Sequence, residues 1–222
     1  MTTGRGGKKR RRRRIDHKAL YIRIGILVLA VLTVVLGIYS CVSGNRRNLN
    51  VDASEPDIDV QLLDVNPYSR PGIETEEING IVIHYTANPG STAQDNRDYF
   101  NGLQHSRETE ASSNFVVGLD GEIIQCVPTW EVAYASNERN FDTVSIECCH
   151  PDDSGAFTDE TYRSLVQLTA WLCLKFDLSE DDVIRHYDVT GKICPKYFVD
   201  HEDAWEEFRQ NVRKAIDRTL EN

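Results

Sequence analysis

Residues 78–104 read INGIVIHYTANPGSTAQDNRDYFNGLQ, and their periodicity changes part-way along. The run 81-IVIHYTA-87 is apolar and β-branched, the pattern of a strand with Val82 and His84 on one face and Ile81 and Ile83 on the other. Asn88, Pro89 and Gly90 break it. Ser91 or Thr92 can then cap a helix to about Gln104, with Tyr99, Phe100 and Leu103 on its apolar side. A strand that feeds a helix through a short turn is the building unit of α/β folds.

The same alternation continues outward. The stretch 114-NFVVGLDGEIIQCV-127 predicts a hairpin turning at Leu119-Asp120-Gly121, and 143-TVSIECC-149 predicts another strand. Residues 158–176 predict a helix capped by Thr158, with Asp159 and Glu160 at the positive end of its dipole. Tyr162, Leu165, Leu168 and Leu172 supply its apolar face. A last helix over about 204–220 carries Trp205, Phe208, Val212 and Ile216 at helical spacing. The expectation is an α/β domain with a central mixed β-sheet flanked by helices, in which Trp171 and Trp205 belong to the core.

Upstream the chain changes character. Of 25 basic and 35 acidic residues in the 222-residue chain, ten basic and one acidic (Asp16) fall in residues 1–23, leaving 15 and 34 downstream. A basic arm on an acidic body is one pattern of nucleic-acid binding. The next residues, 24-IGILVLAVLTVVLGIYSCV-42, are nevertheless free of charge. As a helix they reach about 28 Å, close to the ~30 Å hydrocarbon core of a bilayer. We read one transmembrane helix over 24–42 with a basic cytoplasmic segment, 1–23, which places everything downstream outside the cytoplasm of a bacterial cell. Nucleic acid is thereby set aside as a partner. An uncleaved signal anchor is expected; cleavage within 37–43, or lipidation of Cys41, are the alternatives, and both still export the body. Residues 43–63 are polar, without helical period, and read as a linker. The folded domain is expected over 64–222, long enough to bury a sizeable core.

Five cysteines lie in that domain, Cys126, Cys148, Cys149, Cys173 and Cys194, so they cannot all pair within the chain. Cys148 and Cys149 are adjacent on a strand, point to opposite faces and are not expected to bond each other.

Near the C-terminus, 184-IRHYDVTGKICPKYF-198 sets His186, Lys192 and Cys194 around Gly191. Taken singly, His84 reads as a core histidine, His186 as a loop histidine and Cys194 as a buried thiol. Together, two His and one Cys form a donor set suited to zinc, with the fourth position left to water as in catalytic sites. No CxxC or HxxxH pair supplies the fourth ligand of a closed structural site. Glu147, inside the apolar 145-SIECC-149, is either an edge-strand charge or a carboxylate able to deprotonate water at such a metal. Lys192 is either a surface charge or a cation able to steady a developing oxyanion.

In order, IVIHYTA (81–87), NFVVGLDGEI (114–123), TVSIE (143–147) and RHYDVTGKICPKYF (185–198) resemble the zinc-dependent N-acetylmuramoyl-L-alanine amidases. This is the type-2 amidase group, whose fold is shared with the peptidoglycan recognition proteins. The likeness covers about 66–217. It implies hydrolysis, in bacterial peptidoglycan, of the amide between the lactyl group of N-acetylmuramic acid and the L-Ala of the stem peptide. By position it implies His84, His186 and Cys194 as zinc ligands, Glu147 and Lys192 as catalytic groups, and Asp188 as a partner that orients a ligand. The chain departs from some members in having Ser112-Ser113 where they carry a Tyr, which shifts the work onto Glu147. The alternatives are a recognition module that binds peptidoglycan without cutting it, and a zinc hydrolase acting on another cell-wall amide.

Overall fold

The computed structural model describes residues 49–221, together with Tyr21, Val28 and Val31. Among the described residues no helix is long and apolar enough to cross a membrane. The span expected over 24–42 lies outside them apart from Val28 and Val31, as does the basic segment 1–23 apart from Tyr21.

Six strands make one mixed sheet: β1 (Asp59–Val60), β2 (Gly80–Tyr85), β3 (Phe115–Val117), β4 (Ile123–Gln125), β5 (Thr143–Cys148) and β6 (Val183–Arg185). Their spatial order is β1-β4-β3-β5-β2-β6. The hairpin β3–β4 supplies the antiparallel pair and every other pairing is parallel. The predicted strand 81–87 is therefore a central strand, between β5 and β6, and its inner residues are fully buried.

Within residues 49–221 five α-helices accompany the sheet: α1 (Ala93–Ser106), α2 (Asp159–Phe176), α3 (His186–Thr190), α4 (Lys196–Asp200) and α5 (Glu202–Leu220). Thr92 caps α1 by accepting from the Asp95 N–H, while the Asp95 carboxylate accepts in return from the Thr92 N–H. Thr158 caps α2 by accepting from the Thr161 N–H, as its sequence predicts. On one face of the sheet Ile81, Ile83, Val144 and Ile146 join Leu165 and Leu168 of α2 and Phe208 and Val212 of α5 in one core. On the other, α1 contributes Phe100 and Leu103 to a smaller cluster with Val116, Ile124 and Cys149. Cys148 belongs to the first cluster and Cys149 to the second, as strand alternation requires, and all five cysteines of the domain are free and buried.

One expectation is corrected. The folded unit starts at Leu49, not at residue 64, because much of the expected linker is packed onto it. Leu49, Val51, Ala53 and Leu63 are buried. The Ala53 N–H donates to Thr219 Oγ1 at 2.7 Å, Arg218 of α5 donates to the carbonyls of Leu49 and Val51, and β1 adds a parallel strand beside β4. The segment is held through its backbone and a few scattered apolar side chains, so it shows neither helical nor sustained strand periodicity.

Candidate active site

The site forms where the parallel strands β2, β5 and β6 end, the position at which α/β sheets collect ligands. His84 is the penultimate residue of β2, and Glu147 of β5 lies directly opposite it in the register. Alternation puts both on the face that α1 covers. That helix packs over β3 and β4, and beyond it a cleft of about 460 Å³ opens over His84 and Glu147.

His186 arrives from the far side. It follows β6 and begins α3, so the residue that taken singly reads as a loop histidine opens a helical turn. The Asp188 carboxylate builds that start, accepting from the Arg185 backbone N–H at 2.8 Å and from its guanidinium at 3.1 and 2.9 Å. Gly191, at φ +77°, ends the turn in the left-handed conformation. The chain then doubles back, with the Tyr187 N–H donating to the Cys194 carbonyl at 2.9 Å. This return carries Cys194 to His84.

The three donors converge. His84, His186 and Cys194 are 1%, 5% and 2% exposed, and one donor atom from each lies within 4.8 Å of the others. Cys194 Sγ is 3.8 Å from His84 Nδ1, and the two imidazole centroids are 4.7 Å apart. The outer nitrogens are occupied: His84 Nε2 lies 3.1 Å from Ser136 Oγ, and His186 Nε2 lies 2.9 Å from Asn137 Oδ1. His186 Nδ1 is buried with no hydrogen-bond partner. Glu147 Oε1 sits 4.0 Å from His84 Nδ1, and its Oε2 is also buried without a partner.

Burial sets the charge states. It holds the His84 pKa well below the usual imidazole range, aided by His186 and Lys192, and it lowers that of His186, aided by Lys192. Both rings are thus neutral, the form that ligates metals. Burial pushes the Cys194 thiol up to about 12, with Glu147 adding to the rise, and pushes the Glu147 carboxyl up to about 8 against the pull of Lys192. A divalent cation among these donors would reverse the direction for both acids. Two neutral imidazoles, one of them with a buried nitrogen left unbonded, and a thiol, with an open cleft above them, fit zinc with a free coordination position.

Lys192 is exposed and lines the cleft, where its charge reaches all four of these groups. Asp188 is not brought into the cluster. Its carboxylate is taken up by Arg185 and bonds to neither imidazole. Sequence reasoning missed the loop that supplies Ser136 and Asn137, and also Tyr134, which lines the cleft. The Ser112 hydroxyl accepts from the Tyr134 N–H at 2.9 Å, so the Ser112-Ser113 pair expected to lack a tyrosine holds one from another loop beside the site.

A family model described as N-acetylmuramoyl-L-alanine amidase matches residues 74–197. The chain belongs to this family. It is similar to the N-acetylmuramoyl-L-alanine amidase CwlL of Bacillus licheniformis, at 37% identity over 70% of this chain and 46% of that protein. It is also similar to the N-acetylmuramoyl-L-alanine amidase BlyA of Bacillus subtilis (strain 168), at 33% identity over 69% of this chain and 46% of that protein. The chain thus spans about half the length of the curated relatives it matches. Among solved structures, PlyL superposes with a TM-score of 0.62 at 22% identity, over 72% of this chain and 99% of that one. The catalytic domain of XlyA gives 0.61 at 24% identity, over 71% and 99%. These structures share the amidase-family fold of mixed sheet and flanking helices.

Proposed function

We propose that this amidase-family chain is a zinc-dependent N-acetylmuramoyl-L-alanine amidase that degrades peptidoglycan. The observation that carries the proposal is the convergence of donor atoms from His84, His186 and Cys194 beside Glu147, with His186 Nδ1 and Glu147 Oε2 buried and without hydrogen-bond partners. Those three residues would hold the metal. Zinc, when bound, supplies a Lewis acid that acidifies water and polarises a carbonyl.

The remaining work falls to this chain's own side chains. Glu147 takes the proton from the attacking water and returns it to the amide nitrogen, so that L-Ala leaves as an amine and the lactyl group as a carboxylate. Without metal, burial pushes this carboxyl up to about 8; the charge of a bound cation would bring it down, so that it can enter the reaction as the carboxylate base. Lys192, on the cleft wall, steadies the oxygen that becomes negative as the carbonyl carbon turns tetrahedral. We further propose that residues 24–42 anchor the chain in a bacterial membrane, with 1–23 cytoplasmic and the domain outside, where peptidoglycan is its partner. The charge-free run and the basic segment before it support this.

The test is digestion of purified peptidoglycan by the zinc-loaded chain, beside Cys194→Ser, with fragments identified by mass spectrometry. Stem peptides with a free L-Ala amine, released by the parent and not by the variant, are the expected products. Tight binding to the wall without fragments would overturn the enzyme and leave a recognition module.

A further inference from the structure

His84 and His186 are 102 residues apart in the chain, yet both imidazoles are held from behind by consecutive residues of one turn. We propose that Ser136 and Asn137 are positioning residues that fix the tautomers of both histidines, so that a single loop presents both Nδ1 lone pairs to the metal. This rests on the zinc reading above.

At His186 the donor and acceptor roles follow from chemistry. A carboxamide oxygen only accepts, so the 2.9 Å contact between Asn137 Oδ1 and His186 requires the hydrogen to sit on Nε2. The lone pair is then on Nδ1, the buried atom with no partner. Ser136 is fully buried, and the only hydrogen bond of its hydroxyl among the described residues is the 3.1 Å contact with His84 Nε2. A hydroxyl can donate or accept, and Ser136 is assigned the acceptor role: Nε2–H donates to Oγ, and the His84 Nδ1 lone pair is left on the side of Cys194 Sγ, 3.8 Å away.

The turn is built to hold these two acceptors still. Asn137 has φ +54°, a left-handed conformation that asparagine tolerates better than most residues. The Asn140 side-chain oxygen accepts from the N–H groups of Ala135 and Ser136 at 3.1 and 2.6 Å. The Arg139 N–H donates to the Ser136 carbonyl at 3.0 Å, and the Thr143 hydroxyl donates to the Arg139 carbonyl at 2.6 Å, which ties the turn to the start of β5. The loop therefore moves with the strand that carries Glu147. Partners of this kind behind a metal ligand set ring orientation and basicity, and their loss typically costs about 10–100-fold in metal affinity.

The test uses the full chain as wild type, Ser136→Ala, Asn137→Gly and Asn137→Asp. Asn137→Gly deletes the carboxamide while keeping the left-handed backbone, and Asn137→Asp keeps an acceptor oxygen. Two quantities are read: zinc affinity by competition with a chromophoric chelator, and the tautomer of each imidazole in the metal-free protein from long-range proton–nitrogen spectra. Wild type is expected to show Nε2–H for both histidines. Ser136→Ala should release the His84 tautomer alone and Asn137→Gly that of His186 alone, each weakening zinc about 10–100-fold. Asn137→Asp should restore affinity to within about threefold, well inside that range. Unchanged tautomers with zinc affinities within about twofold of wild type, below any outer-shell effect, would overturn the proposal, as would Nδ1–H tautomers in the wild type. A wild type that binds zinc as expected but releases no stem peptides would overturn the amidase and leave this assignment standing.

Discussion

Asp188→Ala removes one of the two carboxylate partners of a buried cation. The Arg185 side chain is 8% exposed, and Asp188 gives it two guanidinium contacts and caps its backbone N–H. Breaking a buried pair by deleting one member costs about 3–5 kcal/mol. Here the cost is smaller, because Asp188 is 31% exposed and the Phe198 carbonyl and Glu202 still hold Nη1 at 3.0 and 2.6 Å. Discounting for that exposure gives about 2–3 kcal/mol. For a unit of this size each kcal/mol lowers Tm by about 2–4 °C, so a fall of about 4–12 °C is expected by circular dichroism on the metal-free protein. Arg185→Met combined with Asp188→Ala should recover part of the loss, since no buried charge is then left with only some of its partners. Zinc affinity should fall by less than about tenfold, the lower bound for loss of a direct ligand partner. A Tm within about 2 °C of wild type, the effect of less than one kcal/mol, would refute the reasoning. So would a zinc loss as large as that of Cys194→Ser, which would make Asp188 a direct orienter of the metal ligands.

Three further outcomes follow from the same geometry. Glu147→Gln keeps the shape of the side chain but cannot accept a proton, so turnover should drop at least about 100-fold while zinc content by elemental analysis stays unchanged. Cys126, Cys149 and Cys173 are pushed up to about 12 by burial, so at pH 8 only about one part in ten thousand of each is thiolate; these thiols should ignore Ellman's reagent until denaturant is added. A chain starting at residue 64 loses β1 and the buried Leu49, Val51 and Leu63, on the order of 5 kcal/mol at about 1.5–3 kcal/mol per side chain; it should fail to unfold cooperatively where one starting at residue 49 does, and equal stability of the two would contradict the packing described.

The fold was legible wherever side chains repeat with a period. The run IVIHY and the Leu165-Leu168-Leu172 series declared a strand and a helix with an apolar face, and Thr158, with Thr92 of the Ser91/Thr92 pair, marks the helix starts that the structure uses. The donor set was legible because residue type alone limits what His, His and Cys can do together. What escaped notice was held by backbone or by loops. Residues 49–63 attach through main-chain bonds to Arg218, Thr219 and β4, which leave no period in the sequence. Ser136 and Asn137 are polar loop residues like many others, and only the tertiary path of the chain places them behind the two rings. Asp188 was read as a ligand partner from its nearness to His186 in sequence. The i, i+3 reach back to Arg185 takes its carboxylate instead.

A zinc ion held by His84, His186 and Cys194 is what the proposed function requires. The most direct measurement is an anomalous difference map, recorded at the zinc absorption edge, from crystals of the zinc-loaded protein. We predict one peak per chain bonded to both Nδ1 atoms at about 2.0–2.1 Å and to Sγ at about 2.3 Å, with Glu147 outside the bonded set. No peak in this cleft, or one bonded through the Nε2 atoms that Ser136 and Asn137 occupy, would contradict the account.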